Sequence, residues 1–131
     1  DGKAKLIDFG LSSVLNVAEV TVSLKHIGAV QWRSPEYLAG ARPSFASDIY
    51  SLAMCILQVV TNDIPWGSNS FDASVGYRVK RGGRPARPAI MTDEQWHLIE
   101  QMTRQDPTQR IEVLDVVRKL FEFAEAAKRQ C

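Results

Sequence analysis

Cysteine is scarce in this chain: 131 residues carry only Cys55 and Cys131. Two cysteines so far apart make neither a metal cluster nor a disulfide framework. Cys55 reads as a small core residue and Cys131 as a terminal bystander. An excess of one charge is missing too. Sixteen Lys and Arg stand against fifteen Asp and Glu, a formal net charge of +1, so composition favours neither a nucleic-acid binder nor an acidic tail. No apolar run reaches the roughly 20 residues that a membrane-crossing helix needs. The chain shows no signal peptide, repeat or low-complexity tract. Together these absences lead to the expectation of a reducing, intracellular (cytoplasmic) setting, as a free protein or as the cytosolic part of a larger one. The first residue is Asp1 rather than methionine, and Asp1-Gly2 is a hairpin-turn pair with no strand before it. Lys3 to Ile7 alternates charged and apolar residues like the second strand of that hairpin. The expectation is a chain that belongs to something larger.

What is present is ordinary for a globular domain: 45% apolar and 24% charged residues. The stretch from Ser47 to Thr61 organises the rest. Ile49, Leu52, Ala53, Ile56, Val59 and Val60 follow helical spacing, Met54, Cys55 and Leu57 fill the other side, and no charge intervenes between Asp48 and Asp63. A helix apolar all round belongs inside protein. Ser47 or Asp48 is its expected cap. A short helix is expected over Asp72 to Lys80. Thr92-Asp93-Glu94-Gln95 is a capping box that opens a helix over 93–104, with Trp96, Ile99 and Met102 or Thr103 facing inward and Pro107 beyond its end. From Glu112 on, Val113, Leu114, Val117, Leu120, Phe121 and Ala124 mark the core face of a last amphipathic helix. The fold class is therefore mainly α. Arg78, Lys80, Arg81, Arg84 and Arg87 form a local basic run beside Gly82-Gly83. No aromatic residue interleaves it after Tyr77, so it reads as a solvated helix end and loop rather than a nucleic-acid surface.

Five short motifs occur in order: Asp8-Phe9-Gly10, Gly28 to Leu38 with Arg33-Ser34-Pro35-Glu36 inside it, Ser47-Asp48-Ile49-Tyr50-Ser51-Leu52, Ile64-Pro65-Trp66, and Asp106-Pro107-Thr108-Gln109-Arg110. A carboxylate at a strand end suits Mg²⁺, and a following glycine lets the backbone hinge. In this order and spacing the motifs resemble the C-terminal lobe of eukaryotic protein kinases, most of all the tyrosine-kinase-like group. The resemblance covers the whole chain. It implies a partial kinase fold over 1–131, C-lobe helices with a short β-hairpin remnant. Residues 1–12 would be the strand and magnesium motif, 8–36 the activation segment and 45–131 the helical subdomain.

The resemblance also implies roles. Asp8 would hold the Mg²⁺ that bridges the phosphates of ATP, with Phe9, Gly10 and Ile7 beside the nucleotide. Thr21 and Ser23, then Ser12 and Ser13, would be activation-segment phosphorylation sites. Val30, Gln31, Trp32 and Arg33 would line the groove for a protein substrate. Glu36 and Arg110 would form a buried ion pair, since an arginine fork meets a carboxylate with two bonds. Asp48 would accept backbone N–H bonds from the catalytic loop. Two residues depart from the family pattern: Ala29 where serine/threonine kinases usually carry threonine, and Ser34 where alanine is usual.

The glycine-rich loop, the strand lysine and the His-Arg-Asp loop with its catalytic aspartate normally precede the magnesium motif, and none occurs here. The expectation is a serine/threonine kinase fragment, inactive alone, that needs the N-terminal part of its domain and leaves part of residues 49–60 as an exposed apolar patch. A pseudokinase or scaffold without catalysis is the alternative, because Ala29 leaves activity open. Val30-Gln31-Trp32 leaves tyrosine specificity open as well.

Overall fold

Hydroxyl caps set where three of the helices begin: Ser34, Ser44 and Thr92. In the computed structural model, which describes residues 2–7 and 29–131, five α-helices follow one another: α1 (Pro35–Leu38), α2 (Phe45–Thr61), α3 (Asp72–Lys80), α4 (Asp93–Met102) and α5 (Val113–Arg129). The mainly helical class expected from the sequence is what is seen. No strand occurs among the described residues. Gly2 has the positive φ of a turn glycine, but residues 2–7 are exposed and none of them is in a strand, so no β-hairpin is seen there.

The cap of α2 differs from expectation. Ser44, not Ser47 or Asp48, stands at the N-cap and accepts the Ser47 N–H at 3.1 Å, while the Ser47 hydroxyl accepts the Ser44 N–H at 2.8 Å. This reciprocal pair satisfies two donors that the helix cannot satisfy internally, and it starts α2 three or four residues early. Asn62 ends the helix in the left-handed conformation. Thr92 and Gln95 form the expected capping box of α4. That helix closes at Met102, with Thr103 as its C-cap rather than part of the helix.

The core lies between one side of α2 and the inner faces of α3, α4 and α5. Ile49, Tyr50, Ala53, Met54 and Leu57 meet Val75 and Val79, then Leu98, Ile99 and Met102, and finally Val116. Burying side chains of this size stabilises by about 1.5–3 kcal/mol each before entropy is counted. The other side of α2 is bare: Phe45 is 78% and Val59 82% exposed, and Leu52 and Cys55 lie between them on the same face. Cys55 is therefore not a core residue. Periodicity could not separate the two faces, because both are apolar.

The last helix packs by a different face from the one expected. Val116 is fully buried and Phe123 packs against the core, whereas Val113, Leu114, Val117, Leu120 and Phe121 are all exposed. The apolar arc of α5 is about half the helix wide, and the chain uses its edge. Arg118 and Lys119 pair with Asp115 and Glu122 on the polar side.

Between α3 and α4 the glycines have a defined task. The N–H of Gly82 bonds to the Val79 carbonyl at 3.1 Å and that of Gly83 to the Arg78 carbonyl at 2.8 Å, a Schellman closure. A Cβ on Gly83 would lie 2.7 Å from the Arg78 carbonyl oxygen. Gly83→Ala should therefore lower unfolding stability by about 2 kcal/mol. Gly76→Ala, inside α3 with only an ordinary 3.7 Å contact to Val30, should raise it by up to about 1 kcal/mol. Urea titrations of the two variants check this; equal effects would contradict the closure.

Candidate functional site

Asp106 begins the element that anchors the site. Its carboxylate accepts the Thr108 N–H at 2.9 Å and the Thr108 hydroxyl at 2.7 Å, and these bonds hold its carboxyl below the ordinary range. With Pro107 fixing φ, they close a single 3-10 turn over Pro107–Gln109. The chain leaves that turn extended at Arg110.

The Arg110 side chain is 1% exposed and fully occupied. Its two terminal nitrogens meet the two oxygens of Glu36 at 2.6 and 2.7 Å across 74 positions of sequence. The same fork donates to the Ala46 carbonyl at 2.9 Å, and Nε donates to the Arg104 carbonyl at 2.8 Å. The Tyr50 ring lies 5.2 Å beneath the guanidinium. One arginine thus joins α1, the first turn of α2, the 104–106 segment and its own turn. Burial alone would raise the Glu36 carboxyl. The Arg110 bonds and charge, helped by backbone and Ser34 hydrogen bonds, outweigh it and hold the group below its ordinary 4.5. Burial pushes the Tyr50 phenol up to about 12.

Ser34 has a use here. Its hydroxyl caps α1 by accepting the Tyr37 N–H at 3.4 Å, and it also bonds to Glu36. Just before it, Val30–Trp32 forms a 3-10 turn entered through Ala29, whose φ of 70° is left-handed. A β-branched residue is poorly suited to that conformation. Gln31, buried, donates to the Asp72 carboxylate at 2.8 Å, and the Trp32 indole donates to Gln58 at 3.1 Å. The Ser51 hydroxyl donates to the Trp32 carbonyl at 2.8 Å. Arg33 stacks 4.7 Å from the Tyr37 ring, with its Nε buried and without a partner among the described residues. Residues 30–33 therefore form a shelf fastened to α2 and α3.

Asp48 sits one helical turn into α2, on the bare face. Partial burial pushes its carboxyl up, and the Arg33 charge offsets part of that. Ile7 is 82% exposed. Asp8, Phe9, Gly10, Ser12, Ser13, Thr21 and Ser23 lie outside the described residues. Among the described residues, no cluster of three or more His, Cys, Asp or Glu could hold a metal ion. No helix there is long and apolar enough to cross a membrane. Sequence reasoning paired Glu36 with Arg110 but did not see Tyr50, the Ala46 and Arg104 carbonyls, or the Gln31–Asp72 and Trp32–Gln58 bonds. Carbonyl acceptors carry no residue-type signal, and the two side-chain bonds join residues that no spacing rule connects.

The model of the protein kinase domain matches residues 1–121. The chain belongs to the protein kinase domain family. It is 31% identical over 111 residues to mitogen-activated protein kinase kinase kinase 1a of Physcomitrium patens, covering 84% of this chain and 14% of that protein. It is 29% identical over 120 residues to the serine/threonine-protein kinase PkaB of Streptomyces coelicolor, 92% and 28% of the two chains. The RGS domain-containing serine/threonine-protein kinase A of Dictyostelium discoideum is 27% identical over 118 residues, 90% and 10%. The chain thus spans between a tenth and less than a third of these relatives. Within this kinase-family chain, the clamp around Arg110 is a buried bidentate ion pair.

The depressed Glu36 carboxyl gives that clamp a pH signature. Its contribution is complete above the ordinary 4.5 and is lost as pH falls through the lower folded value. Unfolding stability should therefore decline through that acid window, and Glu36→Gln should flatten this part of the curve. Thermal or urea unfolding at stepped pH measures it; an identical acid slope in the variant would contradict the assignment.

Proposed function

We propose that this chain is the C-terminal lobe of a protein kinase of the tyrosine-kinase-like group. The parent transfers the γ-phosphoryl of ATP to serine or threonine of a protein. The bare face of α2 carries the reading: Phe45, Asp48, Leu52, Cys55 and Val59 form one stripe at the helix centre of the chain, built to be covered. Asp48 on that stripe offers a carboxylate, and Arg33 at the end of the shelf holds a buried N–H without an acceptor among the described residues. Both suit the polar backbone of a catalytic loop supplied by a preceding part of the domain. In this reading Asp8 binds the Mg²⁺ of Mg–ATP, which would neutralise charge on the transferred group. Ile7, Phe9 and Gly10 lie near the nucleotide. Residues 8–36 form the activation segment, with Thr21, Ser23, Ser12 and Ser13 as its phosphorylation sites. The shelf at 30–33 positions the substrate peptide. Its rigidity matters because positioning supplies most of the rate in this chemistry.

A scaffold without catalysis is the second reading. Ala29 favours it, since the family's usual threonine hydroxyl is missing there.

The test is a phosphoryl-transfer assay on the complete protein with radiolabelled ATP and a generic protein substrate. The expected result is labelling of serine or threonine, a loss of about 100-fold or more in Asp8→Asn, and none from residues 1–131 alone. Absence of transfer by the complete protein, or equal transfer by Asp8→Asn, would overturn the catalytic reading.

A further inference from the structure

A cleft of about 390 Å³ opens where the C-terminal end of α2, the 63–67 loop and α3 meet. Its walls are apolar: Leu57, Ile64, Pro65, the Trp66 indole and Pro85. Arg78 also lines it, its guanidinium 4.7 Å from the Trp66 ring centre. One turn further along α3, Arg81 lies 5.1 Å from the Tyr77 ring and donates to the Tyr77 hydroxyl. A guanidinium laid on a ring keeps most of its N–H groups free and loses little freedom when it binds an acid. Neither arginine meets a carboxylate among the described residues. Their neighbours do: Arg84 pairs with Glu100 and Arg87 with Asp93. The one carboxylate lining the cleft, Asp63, already accepts the Ile64 N–H at 2.8 Å.

We propose that this cleft with Arg78 and Arg81 is a docking site for an acidic segment of another protein. The segment places one apolar side chain between Ile64, Pro65 and Trp66 and its carboxylates on the two arginines. Uncompensated positive charge beside an apolar cleft selects an acid flanking a hydrophobic anchor. Phe71 and Tyr77, 81% and 61% exposed, extend the apolar surface along α3. Nucleic acid fits less well, because guanidinium groups already cover a face of each ring that a base would stack on. The Schellman closure at Gly82-Gly83 fixes the end of α3 that carries Arg81. The site needs no phosphoryl transfer and holds whether the parent is an enzyme or a scaffold.

Fluorescence anisotropy of a labelled Glu-Glu-Phe-Glu-Glu peptide, titrated with the 131-residue chain, tests it. The expected dissociation constant is on the order of 10–100 µM, weakening with added salt. Arg78→Glu and Arg81→Glu should each weaken binding about tenfold, and Arg118→Glu on α5 should leave it unchanged. A Lys-Lys-Phe-Lys-Lys peptide should not bind. Arg81 does not line the cleft, so its variant remains informative if Arg78→Glu disturbs Trp66; circular dichroism confirms that each variant is folded. Wild-type affinity in Arg81→Glu, or tighter binding of a single-stranded RNA of equal charge, would overturn the proposal.

Discussion

A buried guanidinium is the constraint on which the other parts depend. Taking Arg110 out of water is costly, and the molecule recovers that cost only because the ligands around the side chain are all in place. They come from three stretches that helix packing alone would not hold in register: α1, the start of α2, and the 104–110 segment. Because the carboxylate partner takes both oxygens to one planar fork, orientation is fixed as well as distance. Apolar contacts between the same stretches are non-directional and could slide.

The clamp matters because α2 is packed on one side only. Its inner face is buried, with Ala53, Met54 and Leu57 all but inaccessible, and its outer face offers Phe45, Leu52 and Val59 to solvent. A helix in that position needs its N-terminal end secured by something other than surrounding side chains. The Ser44–Ser47 box secures the backbone there, and the Ala46 carbonyl ties that first turn to Arg110. The shelf at 30–33 then inherits its position from α2, through the Trp32–Gln58 and Ser51–Trp32 bonds. A rigid shelf beside an uncovered helix supports the proposal that this chain is one lobe of a kinase domain.

Much of this was legible in the residues. Helices over 72–80 and from 93 and the capping box at Thr92 follow from patterns with a mechanism behind them, while the Glu36–Arg110 tie was implied by the family resemblance. Other features were hidden for physical reasons. The N-cap of α2 was misplaced because Ser44, Ser47 and Asp48 all offer capping oxygens, and only the backbone conformation at Ser44 chooses between them. The inward face of α5 was misread because its apolar arc is too wide to name one contact line; Val116 and Phe123, not Val113 or Leu120, reach the core. Cys55 was misplaced because a uniformly apolar helix carries no record of which side is covered. The expected hairpin strand over 3–7 forms no ladder among the described residues. The cleft beside Trp66 was invisible to sequence, since it is assembled from residues 57 to 86 by the return of the chain after α3.

The clamp's energy can be isolated in a double-mutant cycle. Glu36→Gln, Arg110→Met and the double variant, each unfolded in urea at neutral pH beside the parent chain, give the coupling between the two side chains free of their other contacts. A buried bidentate pair predicts a coupling of about 2 kcal/mol or more, with Arg110→Met the more damaging single change. A coupling within about 0.5 kcal/mol of zero, the behaviour of an exposed surface pair, would contradict the account.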